Sequence, residues 1–452
     1  MSTKTRIVKN GIAAIFFKGI RVVEQLLLIP FFIQHWGAAY YGEWITLTIV
    51  PSMLALADFG FGSAAANTFL LKYAGHDKQG AADVAKTGSI ILTFLIMVAL
   101  LLAGAIVWTL NYFGTFERLL IDNHSAIIAV LLLLTARIVN FYQALYEAYY
   151  RAARRADISI HFKTIIAVAN IIVSLVVLWS GGRVVEYASA ILLISVLFNP
   201  IYIYIGRRVL GLYKVHIGKV DKRLIRPLVN KGFGYFLSPI WQAIYYQGIT
   251  LVVRITVGPI AVTVFNTVRT LIRSSSQAFA MTITASYPDF QFEIGAGNYD
   301  KAKKIFSSVL IWNILMAILF IIGLILFGEI LYHWWTKNAL DVPVPVWYIF
   351  IAGIFFYACW FTCSFVFEAL NKPYTNTLAG FVCSIFVVSL SWCLCSYVGL
   401  IGAAIGCLIF DILMCLYIMP KVATQLGLTF SQVSERLLSL LHLNNKYTRK
   451  HL

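Results

Sequence analysis

The sequence predicts an all-α polytopic membrane protein, with twelve transmembrane helices in two six-helix lobes related by a parallel pseudo-repeat around a central cavity. Three observations carry that prediction. The 452 residues are 60% hydrophobic and only 12% charged, with a mean hydropathy of +0.82, which is far too apolar for an ordinary soluble protein. The apolar residues come in runs of about 20, the length that takes a helix through the hydrocarbon of a bilayer. Weak internal similarity also recurs at one spacing: Gly11 and Gly37 bracket the first run, and Gly232 and Gly258 bracket the seventh, 221 positions later.

The first six spans are expected at 10–34, 42–71, 87–113, 125–150, 160–180 and 184–206, and the second six at 232–257, 260–288, 304–328, 343–369, 375–397 and 399–419. Each must be helical, because only helices and closed barrels satisfy their backbone in lipid and these runs are too long for strands. Four segments follow: a lobe at 1–206, a basic linker at 207–231, a lobe at 232–420 and a tail at 421–452. Lys4, Arg6 and Lys9 precede an apolar run that continues to Phe32 without a small-residue cleavage site, so it reads as an uncleaved first helix. With both termini in the cytoplasm, only Arg118, Arg183 and Lys337 among the 36 Lys and Arg fall outside, which fixes the orientation.

The net charge of +17 does not point to nucleic acid, because the basic residues are scattered between apolar spans. The densest charge run, Arg207 to Lys231, reads as an interfacial segment on anionic lipids, with Val209, Leu212, Val215, Leu224 and Leu228 as apolar contacts. The stretch Ser431–Leu443 reads as a surface amphipathic helix. All seven cysteines lie between Cys359 and Cys415 without metal-ligand spacing, and read as small packing residues.

Charges inside spans are the informative residues, since an arginine at mid-membrane costs roughly 2.5–3.5 kcal/mol unless it meets water or a partner. Asn266, Arg269, Arg273 and Gln277 share one face of the eighth span at helical spacing, a cationic stripe suited to lining an anion pathway. Lys18, Arg21 and Gln25 share a face of the first span, with Glu24 within reach of Lys18 or Arg21. At the repeat spacing Arg269 and Arg273 correspond to Thr48 and Ser52, so each lobe supplies its cations from a different helix. Arg137 reads either as a cavity contact or as half of a pair with a neighbouring helix. Among the acids, Asp411 lies mid-span and is the better candidate for coupling to H+ or Na+; Asp58 and Glu24 are further candidates, Asp58 being open also to a helix-capping role beside Gly60 and Gly62. No P-loop, HExxH or GxSxG pattern and no metal cluster is present, so neither an enzyme nor a bound cofactor is expected.

Lys9-Asn10-Gly11 with its cationic helix, Leu56-Ala57-Asp58-Phe59-Gly60-Phe61-Gly62-Ser63-Ala64 in the second span, and the segment from Gly258 to Arg269 in the eighth resemble Wzx-type polysaccharide flippases. These share a superfamily with MATE multidrug exporters and the lipid II flippase MurJ, whose two extra C-terminal spans this chain lacks. The resemblance implies translocation of an undecaprenyl-diphosphate-linked oligosaccharide, such as an O-antigen unit, across the bacterial inner membrane, alongside polysaccharide polymerase machinery. It also implies cavity cations on the first and eighth helices, here Arg21, Arg269 and Arg273. A MATE-like cation exporter is the competing expectation, but it would favour carboxylates over arginines in its cavity. A membrane enzyme acting on the same carrier would show longer extramembrane loops.

Overall fold

Segments that cannot leave backbone groups unpaired in hydrocarbon wind into helices, and all the regular structure described here is helical. The computed structural model describes residues 3–54, 60–211, 217–295, 297–370, 372 and 374–427. Asp58, Leu212, Val215 and the 431–443 stretch therefore lie outside the described residues. The chain forms two compact units, one of Met1–Ala243 with Gly258–Thr263, the other of Ile244–Val257 with Val264–Leu452.

The first unit holds α1 (Thr3–Leu47), α2 (Ile49–Leu54), α3 (Phe61–Ala74), α4 (Lys78–Tyr112), α5 (Asn123–Val139), α6 (Gln143–Ala152), α7 (Ala156–Trp179) and α8 (Val184–Leu210). Next come α9 (Ile225–Thr256) and α10 (Pro259–Arg273), each with residues in both units. The second unit holds α11 (Ser275–Gly295), α12 (Tyr299–Trp335), α13 (Val344–Ala369), α14 (Tyr374–Val398) and α15 (Leu400–Leu426).

Eight helical stretches are long and apolar enough to cross a membrane: Lys78–Tyr112, Asn123–Ala152, Ala156–Trp179, Val184–Leu210, Tyr299–Trp335, Val344–Ala369, Tyr374–Val398 and Leu400–Leu426. They coincide with expected spans three to six and nine to twelve. Their outward faces are apolar, with Leu100, Leu101 and Leu102 of α4 and Leu319, Leu326 and Phe327 of α12 all exposed, as a lipid solvent requires. The chain is a multi-pass membrane protein. The other four expected spans, 10–34, 42–71, 232–257 and 260–288, are also helical among the described residues but are kinked, divided or charged. Gly37 interrupts α1 at φ 77, ψ 160, Gly60 opens α3 in the left-handed region, and Ser274 separates α10 from α11. Pro30 and Pro239 lie inside α1 and α9.

In the first unit α1 packs on α7, α5 on α8, and α3 between α4 and α6. Small residues permit the close approach: a Cβ on Gly88 of α4 would lie 3.2 Å from Ala65 Cβ of α3. Tyr149, Tyr150, Tyr202 and Phe69 fill the core beside them, with the Tyr150 hydroxyl donating to Tyr202 O at 2.5 Å. The segment Gly258–Thr263 is tied to the end of α1: Thr263 Oγ1 donates to Ala38 O at 2.6 Å, and a Cβ on Gly42 would lie 1.9 Å from Pro259 O. In the second unit α15 packs on both α13 and α14, while α11 and α12 pack together and on α13.

Two of the basic linker's apolar residues depart from the place expected for them. Leu224 packs on the core of the first unit, and Leu228, 1% exposed, is part of it beside Phe61, Leu92 and Leu145. The two leucines are four apart and share a face. That face serves the protein core and not the bilayer surface.

Candidate functional site

The apolar run expected as the fourth span is interrupted: α5 ends at Val139, Asn140–Tyr142 form a 3-10 turn, and α6 resumes at Gln143. An interruption at this depth leaves carbonyls that side chains must meet. The Asn140 amide donates to Ala136 O at 3.0 Å, and that of Asn199 on α8 donates to Val139 O. Gln143 Nε2 donates to Asn140 Oδ1 at 2.9 Å. These amides form part of the wall of an open cavity of about 440 Å³ lined mainly by α1, α5, α7 and α8.

Arg21 and Glu24 of α1, Arg137 of α5 and Lys163 of α7 also line it. Arg21 Nη1 reaches Glu24 Oε2 at 2.6 Å, the pairing allowed by their spacing. Lys163 Nζ lies 2.6 Å from Glu147 Oε2, and Arg151 lies 3.0 Å from the other oxygen of that carboxylate. Arg137 is exposed to the cavity and has no acid partner among the described residues. The cavity therefore holds two neutralised cations and one open guanidinium, with Trp44 and Tyr187 as an aromatic wall. Lys18 and Gln25 are not among its lining residues.

The second unit treats its arginines differently. Arg269 donates to Tyr246 O at 3.3 Å, to Thr250 Oγ1 at 3.2 Å and to Asn266 Oδ1, and its guanidinium lies over the rings of Phe265 and Tyr246, 4.9 and 5.3 Å from their centroids. Arg273 Nη2 lies 2.5 Å from Asp411 Oδ2, and its guanidinium is 4.1 Å from the Tyr357 centroid. The other Asp411 oxygen accepts from Trp360 Nε1 at 3.0 Å. The pair is enclosed, with side-chain exposures of 18% and 2%. The cavity beside it is about 10 Å³, room for one water. Gln277 lies beyond the break at Ser274 and is exposed, so the expected four-residue stripe ends at Arg273.

Asn266 meets Arg269, and Asp411 meets Arg273 as its counter-ion. Lys163, Asn140, Gln143 and Asn199 were missed. Lys163 lies within a turn of its expected span start and reads from sequence as a loop charge, while uncharged amides escape a search for charges alone. The pair Asn140 and Gln143, three apart inside an apolar run, is the signal that would have found the interruption. Glu43, fully buried in α1, is a further missed acid; it accepts from the Leu120 N–H at 3.3 Å.

No family model and no curated protein matches the sequence. Solved structures do. A multidrug resistance MATE family transporter of the MOP superfamily, in an inward-facing conformation, aligns over 92% of this chain and 96% of its own, with a TM-score of 0.71 at 15% identity. The chain has the fold of MATE transporters. The outward-facing conformation of a MATE transporter gives 0.62 at 15% identity, over 96% of this chain and 97% of the other. A MOP superfamily transporter from Pyrococcus furiosus, described as having a binding pocket of reverse polarity that suggests a different function, gives 0.59 at 14% identity over 94% and 96%. At such identities the likeness to MATE structures is one of fold. Substrate polarity must be read from this chain's own side chains.

Proposed function

We propose that the protein is a flippase that moves an undecaprenyl-diphosphate-linked oligosaccharide, an O-antigen repeat unit or similar, from the inner to the outer leaflet of the bacterial inner membrane by alternating access. The observation that carries this reading is Arg137, a guanidinium open to a polar cavity of about 440 Å³ and without an acid partner among the described residues. A diphosphate is an anion with oxygens in the geometry that a planar guanidinium binds bidentately. The amide of Asn170 offers hydrogen bonds to a glycan that must leave water, and the polyprenyl tail stays in lipid.

An ion gradient or the membrane potential drives the cycle in this reading, a charge crossing 100 mV being worth about 2.3 kcal/mol. Asp411 is the proposed coupling residue through its bond to Arg273: a proton on the carboxyl removes half of the pair. The second reading, a MATE-like ion-coupled exporter of small molecules, draws support from the shared fold and from Glu24 in the cavity wall. Binding to purified protein separates the two. Undecaprenyl diphosphate should bind and ethidium should not; ethidium binding without undecaprenyl diphosphate binding would favour the exporter and remove the flippase reading.

A further inference from the structure

We infer that residues 217–226, leading into α9, form a docked platform for anionic phospholipid headgroups, held at a fixed depth by α4. The 35 residues of α4 extend about 52 Å. That exceeds the ~30 Å of hydrocarbon, so several turns stand outside it. The polar residues are gathered at one end, Lys78–Ser89, and the apolar run begins at Ile90. Gln79, Asp83 and Thr87 follow one another at four-residue spacing along that polar end, and each takes a bond from or gives one to the segment. Gln79 Nε2 donates to Ile217 O at 3.0 Å, Lys219 N donates to Asp83 Oδ1 at 2.7 Å, and Asp221 N donates to Thr87 Oγ1 at 3.0 Å. Between them Gly218 lies so close to α4 that a Cβ would be 2.1 Å from Ala82 O.

These ties set the level. Thr87 precedes Ile90 by three residues, about 4.5 Å along the axis, so the segment lies where headgroups begin. Leu224 and Leu228 anchor its far end in the protein core. What remains exposed is Lys219, Lys222, Arg223 and Arg226, interleaved with Ile217 and Val220. The one acid, Asp221, is engaged as a cap, accepting from Arg223 N at 2.9 Å. Cations alternating with exposed apolar side chains at this level match an anionic bilayer surface, which attracts each basic residue and accepts the apolar ones. A solvated loop has no use for exposed Ile217 and Val220, nor for a glycine forced against a carbonyl.

The test is native mass spectrometry of the full-length protein in detergent micelles, titrated with dioleoyl phosphatidylglycerol or dioleoyl phosphatidylcholine. The unaltered protein should retain phosphatidylglycerol preferentially. Combined Lys219→Gln, Lys222→Gln, Arg223→Gln and Arg226→Gln should reduce that preference, by up to roughly fivefold per charge removed. Gly218→Ala keeps every charge but displaces the segment from α4, and should lose most of the preference too. A Gly218→Ala protein with full preference would mean a free basic loop and overturn the proposal, as would equal retention of both lipids by the unaltered protein. The four-residue variant changes only exposed side chains and carries the test if Gly218→Ala fails to fold.

Discussion

The cationic sites of the two units use the same side chains for opposite purposes. In the first, Arg21 and Arg137 face a cavity of about 440 Å³ across which amides and aromatics are spread, and Arg137 is left without an acid. In the second, Arg269 and Arg273 are held by carbonyl, hydroxyl, amide, ring and carboxylate partners, beside space for a single water, with only Nη1 of Arg273 buried without a hydrogen-bond partner among the described residues. An arginine in a membrane must be satisfied somehow. Satisfaction by the protein makes it structural, and satisfaction by water in a cavity leaves it available to a ligand. Depth in a span does not separate the two cases; enclosure by protein partners does.

The sharpest way to break this comparison is to remove one member of the buried pair. Arg273→Ala leaves Asp411 enclosed without its cation, and Asp411→Ala leaves the reverse; each should destabilise the protein by about 3–5 kcal/mol, the usual cost of stranding a buried charge. Combining Arg273→Met with Asp411→Leu should recover most of that loss, because both desolvated charges disappear together. Thermal unfolding in detergent measures all three. Additive losses in the double variant would show that the residues act separately.

Next in size is Arg137→Gln. Losing one charge-assisted hydrogen-bond donor to a diphosphate should weaken undecaprenyl diphosphate binding by roughly ten- to a hundredfold, with unfolding unchanged. Equal weakening by Arg269→Gln with stability intact would instead restore the second unit's arginines as ligand contacts. The smallest effect is expected at Arg21, whose charge is already met by Glu24 at 2.6 Å. Arg21→Gln should cost under about 1 kcal/mol in either stability or binding, since partly exposed pairs contribute little.

Much of the fold was legible because hydrocarbon permits few solutions. Eight spans could be placed from apolar runs alone, to within a residue for α13 and α14, while the polar start of α4 lies nine residues ahead of its expected one. The four spans that escape a length-and-composition criterion are the first two expected in each half, where charged residues or Pro and Gly interrupt the apolar pattern. The site was legible only in part. Helical spacing puts Asn266, Arg269 and Arg273 on one helix face, but it carries no information about Asp411, which reaches Arg273 from α15, 138 residues away. Lys163 and the interruption at Asn140 were hidden for a different reason: each is a local feature whose meaning depends on which helices surround it. The linker leucines show the same limit, since Leu224 and Leu228 suit a membrane face as well as a protein core, and only the presence of α3 and α4 decides.

The bond from Thr263 to Ala38 and the approach of Gly42 to Pro259 have a bearing on how the molecule is made. Chains are synthesised from the N-terminus and fold as their parts emerge. A ribosome that has released residues 1–243 has not released all of the first unit, because Gly258–Thr263 belongs to it. The first unit must therefore wait, inserted but unfinished, for its last strip of backbone. Any pause in translation before residue 263 holds the chain in that state, with the glycine surface at Gly42 still uncovered.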